Sequence, residues 1–600
     1  MTKPLRAVCD FVKSFLSPKT SGAPTTSKYA EWIALYDTID DEKRRAIGEA
    51  IKKMEVNSQP PLISVVMPVY NPPVHILREA IDSVIKQLYP HWELCVADDV
   101  SPNPEIRDML SRYAAKDKRI KICLRNENGH ISEASNSALG LATGDFVALL
   151  DHDDVLPENA LYEVARAIME NPNASLFYSD EDKLDFDGRR CEPYFKSDWN
   201  PDLFLSHNLF THLGVYKREL LAQIGGFRTG FEGAQDYDLV LRCLDVAGDD
   251  AVRHIPKILY HWRKTQESTA TGPDKKPYAI RAAVQAISEF LERRKINATV
   301  TEFMPGRGLI RVQYALPDVC PKVSIIILTK DKVELLVKCV ASIQDRTTYS
   351  NYEIIIVDNG SVEEVTFEYL RTISKKPNVK ILRDDRPFNY SMLNNTAVEV
   401  CGGEIVCLLN NDIEVITPDW LSEMVSHAIR PGIGAVGARL WYPNNTLQHG
   451  GVILGIGGIA IHVHHAIIRD NPGYFGRAWL IQNLSAVTGA CLMIKKSIYQ
   501  EAGGLDEKNL PVAYNDIDFC IRVRDAGYRN LWTPFAELYH YESATRGYET
   551  TPEKQERFRK ETEYVKKIYG DTLTRDPAYN PNLSLSSDPF TLAFPPRPCN

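Results

Sequence analysis

GDFVALLDHDD at residues 144–154 sets five consecutive apolar residues, Phe146 to Leu150, directly before a cluster of acids. A short apolar run between a glycine and polar residues reads as a buried strand, and its carboxylates then fall at a sheet edge. GEIVCLLNNDI at 403–413 repeats the plan. Working outward, LISVVMPVY at 62–70 answers VSIIILT at 323–329, and WELCVADDVS at 92–101 answers YEIIIVDNGS at 352–361. Further on, IGGFRTGFEGAQDYDLVLR at 224–242 answers AGGLDEKNLPVAYNDIDFCIR at 502–522.

The spacings match as well as the motifs. Asp98 to Asp153 is 55 positions and Asp358 to Asp412 is 54; Asp236 to His261 is 25 and Asp516 to His540 is 24. Only the middle interval differs, 83 positions from Asp153 to Asp236 against 104 from Asp412 to Asp516. One fold is therefore used twice, with an insertion or enlarged loops in the second copy. Apolar strands alternating with helical patterns predict an α/β class with mostly parallel, Rossmann-like central sheets, whose ligand crevice lies at the carboxyl ends of the strands. The expected organisation is a helical segment over 1–60, a first domain over 61–315, a second over 316–570 and an extended tail over 571–600.

Composition is that of a globular protein, 44% hydrophobic and 25% charged, and the net charge of -9 gives no reason to expect a nucleic-acid partner. Twelve scattered cysteines without a CxxC pair suit a reducing compartment. MTKPLRAVCDFVKSFLSPKTSG at the start has interrupted apolar stretches, too short to span a bilayer. Docking onto the body is the expected fate of that segment, with peripheral membrane contact the alternative.

The acids carry the chemistry. Asp151, Asp153 and Asp154 at a strand end suit Mg2+ or Mn2+, hard cations that take oxygen ligands and bridge to phosphate; taken alone, the same residues make a solvated acidic turn. Asp98 and Asp99 fit hydrogen bonding to a base or ribose, or a helix cap. Asp236 stands at a helix start, where it serves either as a cap or as a general base toward an acceptor hydroxyl. His261 can complete a metal shell through one ring nitrogen, although a lone histidine beside Trp262 is more often structural. His462, His464 and His465 form no convincing zinc set and are expected to line a surface or pocket.

These ordered motifs, together with FNYSMLNNTAV at 388–398, QHGG at 448–451 and VTGACLM at 487–493, resemble the inverting glycosyltransferases of family 2, with the GT-A nucleotide-binding fold. The likeness covers about residues 61–570 and points to bacterial O-antigen, polysaccharide and rhamnosyl transferases. It implies nucleotide or donor contacts at Asp98, Asp99, Gly129, His130, Asn136 and Asp151, with Asp358, Asn395 and Asn410 in the second copy. Metal ligands would be Asp153, His261, Asp412 and His540, and the bases Asp236 and Asp516. Asp180, Glu181, Asp182, His449 and Thr488 would line an acceptor or sugar pocket. The implied reaction uses nucleoside diphosphate sugars, Mn2+ or Mg2+, and an oligosaccharide or lipid-linked acceptor, in the cytoplasm or at the inner face of the plasma membrane. Asn410, standing where the first copy has an acid, keeps open one catalytic domain paired with a glycan-binding or scaffolding one.

Overall fold

The computed structural model describes residues 26–264, 277–305, 307–542 and 551–598. The basic N-terminal stretch 1–20 lies outside the described residues. Two compact units are present: the described residues of Ala23–Val312 with Asn580–Leu583 and Leu592–Asn600, and those of Gln313–Tyr579 with Ser584–Thr591.

In the first unit the strands Ile120–Leu124, Trp92–Asp98, Ile63–Val69 and Phe146–Leu149 lie side by side and parallel. Trp92–Asp98 and Ile63–Val69 are buried along their whole length, which is why they read as largely apolar runs interrupted only by Ser64, Glu93 and the terminal Asp98. The sheet then changes character. Val215–Lys217 pairs antiparallel with Phe146–Leu149 and with Leu176–Leu184, and the latter pairs parallel with Val252–Arg263. The second unit repeats this with Val379–Arg383, Tyr352–Asp358, Val323–Thr329 and Ile405–Asn410 in parallel, then Cys491–Lys495 antiparallel, Ile433–Trp441 and Arg529–His540.

Both sheets are thus of the expected Rossmann-like kind, with parallel strands making up most of the pairing and antiparallel ones added beyond Phe146–Leu149 and Ile405–Asn410. Burial, which shapes the apolar pattern, does not record strand direction, and the three-residue strand Val215–Lys217 is too short to show a pattern. The longer middle interval of the second copy also finds its place: 49 residues separate Trp441 from Cys491, against 30 between Leu184 and Val215. The extra chain carries the hairpin strands Val452–Leu454 and Ala460–His462.

Helices cover the sheets, and each unit has its own core. Ahead of the first sheet stand Thr26–Trp32, a π-helical turn at Ile33–Asp37, and Asp41–Asn57, the last capped by Asp40 accepting from the Lys43 N–H. Among the described residues no helix is long and apolar enough to cross a membrane.

A duplicated polar cluster ties each sheet at the end opposite the motif acids. Glu93 accepts from Ser64 Oγ (2.7 Å) and the Thr143 N–H (2.6 Å) and pairs with Lys121; Glu353 accepts from Ser324 Oγ (2.7 Å) and the Gly402 N–H (2.7 Å) and pairs with Lys322. Glycine is required beside it, because a Cβ on Gly144 would lie 2.5 Å from the Leu62 carbonyl oxygen and one on Gly403 2.6 Å from Ser324 Oγ. Burial alone would raise both carboxyls, yet the hydrogen bonds outweigh it and hold each at about 2, below the ordinary 4.5. A depressed folded-state pKa contributes stability that is full above the ordinary value and is lost as pH falls from 4.5 toward 2. Glu93→Gln and Glu353→Gln are each expected to cost about 2–3 kcal/mol at neutral pH and to flatten the acid limb of the urea-denaturation midpoint. An unchanged acid limb in both variants would contradict this assignment.

Candidate active site

Parallel register brings the predicted acids to one edge. Asp98 ends its strand opposite Val69, and Asp151 follows Phe146–Leu149 in the neighbouring position; Asp358 and Asn410 end theirs opposite Thr329 and Leu328. Asp98 and Asp99 are fully buried. Arg107 Nε donates to Asp98 (2.9 Å), while Arg125 Nε (2.8 Å) and the Gly129 N–H (3.0 Å) donate to Asp99. The pair therefore holds the loop that opens the helix His130–Leu139, where His130 is exposed with φ of 61° and a Cβ on Gly129 would lie 2.5 Å from Arg125 Nη2. Asp358 is held in the same way by Arg383 and the Ser361 N–H.

The DHDD turn folds back on itself, the Asp154 N–H donating to the Asp151 carbonyl. Asp154 is buried, accepting from Tyr260 Oη (2.6 Å) and the Arg263 N–H (2.7 Å), whereas Asp151 and Asp153 stay partly exposed. Carboxylate oxygens of Asp151 and Asp154 and a ring nitrogen of His212 lie within 4.8 Å of one another, close enough to share one cation. Burial first, and then neighbouring acids, push the Asp151 and Asp154 carboxyls above their ordinary range, although His212 opposes this at Asp151. Acids crowded in this way favour a divalent cation, which would keep them ionised. His212, stacked on Tyr260 at 4.2 Å, was not anticipated from sequence, because the register that sets Val215 and Met493 in equivalent places puts Ala490 at its position in the second copy, so the repeat does not mark it.

In the second unit Asp412 Oδ1 faces His540 Nε2 at 3.3 Å without hydrogen-bond geometry, and that oxygen is buried and accepts no hydrogen bond. Asn410 Nδ2 lies 3.3 Å from the same ring nitrogen. An orphaned carboxylate oxygen beside an imidazole nitrogen fits a cation between them. His261 and His540 occupy equivalent strand positions, bridged to Val155 and paired with Ile413 respectively.

Asp236 and Asp516 lie in the first turns of the helices Gln235–Ala247 and Asn515–Asp525, and both are partly exposed. Asn208 Nδ2 donates to Asp236 Oδ2 (2.9 Å); the Gly489 N–H donates to Asp516 Oδ2 (2.9 Å). The charge of Asp236 is the last of the neighbouring influences on the Asp151 carboxyl and acts to raise it.

Other predicted residues are held by partners within the protein. Asn136 clamps the Phe227 N–H and carbonyl, both at 2.8 Å, and Asn395 does the same to Leu505, both at 2.9 Å. Asp180, Glu181 and Asp182 are buried along the strand Leu176–Leu184, where neither a hydrated turn nor a channel surface is available to them. Asp180 accepts from Asn580 (2.9 Å) and meets His254 (2.9 Å), while Glu181 pairs with the buried Lys196. His449 is fully buried: its Nε2 faces the Thr488 N–H at 3.4 Å and its Nδ1 faces His462 Nδ1 at 2.9 Å. His464 stacks on Phe590 and His465 meets Tyr442 Oη, so the adjacent histidines part company.

The family model described as Glycosyl transferase family 2 matches residues 64–225 and 324–503, more than half of the chain. Uncharacterized protein y4gI of Sinorhizobium fredii is 49% identical over 550 residues, 92% of this chain and 60% of that protein. O-antigen biosynthesis protein RfbC of Myxococcus xanthus is 36% identical over 571 residues, 94% of this chain and 43% of that protein. The chain thus spans about half the length of these relatives. Among solved structures, S. aureus TarS in complex with UDP-GlcNAc aligns at a TM-score of 0.31 and 21% identity, over 39% of this chain and 72% of that one. With one family match in each unit, spanning both sets of strand-end residues, the chain belongs to glycosyl transferase family 2 and carries its GT-A fold twice.

Proposed function

We propose that both units are inverting, metal-dependent glycosyltransferases that move sugars from nucleoside diphosphate donors onto a growing bacterial glycan. What supports this reading is that each unit has a partly exposed helix-start aspartate, Asp236 or Asp516, and a strand-end group of acid and histidine able to hold a cation. Asp151, Asp154 and His212 in the first unit, with Asp153 and His261 as the further ligands that the family likeness implies, and Asp412 with His540 in the second, would hold the cation. A divalent ion there offsets the negative charge that grows on the leaving diphosphate. Asp236 and Asp516 each take the proton from an acceptor hydroxyl as it attacks the anomeric carbon from the face opposite that leaving group. One displacement inverts the centre, and no protein nucleophile is needed. Similarity to the Myxococcus O-antigen biosynthesis protein supports a surface polysaccharide as the product.

The test is a donor-by-metal turnover screen with mass-resolved products and short glycan acceptors. Two distinct sugar additions, both abolished by EDTA, are expected. Tight glycan binding without turnover would overturn the reading. A second reading, one catalytic unit with a glycan-binding partner, is favoured by Asn410, whose neutral amide stands where the first unit has Asp151. A single addition, lost in Asp236→Asn and intact in Asp516→Asn, would select it.

A further inference from the structure

Asp182 links the helices at the start of the first unit to its late histidine. The residue is fully buried in the strand Leu176–Leu184 and stands opposite His261 in parallel register. His261 Nδ1 lies 2.5 Å from Asp182 Oδ1. Asp182 Oδ2 accepts from Tyr29 Oη and from Arg190 Nε, both at 2.6 Å, and Arg190 reaches on to Asp37. Tyr29 is 1% exposed and stacks on Trp32.

A neutral imidazole facing a carboxylate through Nδ1 carries its proton there, which leaves the Nε2 lone pair as the ligating one. Such a carboxylate also fixes the ring plane and raises the basicity of a metal-bound histidine. The second unit lacks this support: His540 Nδ1 is buried with no hydrogen-bond partner, although the strand position is the same. The carboxylate and its two donors are therefore a device of the first unit, and Tyr29 supplies part of it from well before the first strand, Ile63–Val69.

We infer that Tyr29, with Arg190, is a positioning residue for the first metal centre, holding Asp182 so that His261 presents Nε2 to the cation. The inference rests on the reading of His261 as a metal-facing residue. Mn2+ binding to the full chain, measured by electron paramagnetic resonance of the free ion, tests it in a background of Asp412→Asn and His540→Gln that leaves the first site to report. Tyr29→Phe and Arg190→Lys are each expected to weaken Mn2+ binding about tenfold. Trp32→Phe, which disturbs the same helix without touching Asp182, is expected to leave it unchanged. Equal weakening by Trp32→Phe and Tyr29→Phe would reduce the effect to loose packing and overturn the inference. So would unchanged binding in Tyr29→Phe and Arg190→Lys while His261→Gln weakens it. Unchanged binding in His261→Gln would instead overturn the metal reading of that histidine, and the inference with it.

Discussion

Asp236→Asn is expected to abolish one sugar addition and Asp516→Asn a different one, each with kcat lowered roughly 10²- to 10⁴-fold, the range general-base catalysis supplies. The amide keeps the shape of the carboxylate but cannot accept the proton of an attacking hydroxyl. Asn208 donates to Asp236 and the Gly489 N–H to Asp516, so a substituted amide can keep its carbonyl oxygen on the same donor. Binding of the donor sugar should change little, because the strand-end acids are untouched; the loss belongs in kcat and not in KM. Separate products missing from the two variants, identified by mass, would establish two bases. Wild-type rates for both additions in Asp516→Asn would remove that residue from catalysis.

Metal dependence is expected to separate the units. The first unit has Asp151, Asp153 and Asp154 at its turn, whereas Asp412 is the acid of the second unit's NND at 410–412. Asp412→Asn therefore leaves that turn without negative charge, and the addition catalysed there should fall about 10³-fold, as expected when the stabilisation of a leaving diphosphate is lost. Asp153→Asn leaves two acids in place, one of them pinned by Tyr260 and Arg263, so the first addition should survive with a Mn2+ requirement raised about tenfold. Mn2+ titrations of each product check both statements. A second addition that persists in Asp412→Asn would show that this unit works without a cation at that carboxylate.

The repeated spacing of Asp98 with Asp153 and Asp358 with Asp412 was enough to declare one fold used twice, because a buried strand must be written as an apolar run and its terminal acid then follows at a set interval. The same reasoning put Asp236 and Asp516 at helix starts, where they stand. The antiparallel additions were not legible, since one of them, Val215–Lys217, is only three residues long and shows no pattern. Nor were partners: Asp180, Glu181 and Asp182 form one acidic string in sequence, yet they face Asn580 and His254, Lys196, and His261 with Tyr29. Local pattern thus determined the duplication, the strands and the acids at their ends. Tertiary structure alone decided what each acid meets, because a buried carboxylate is satisfied by whichever donor the packing brings to it, and Tyr29 lies 153 positions away from Asp182 along the chain.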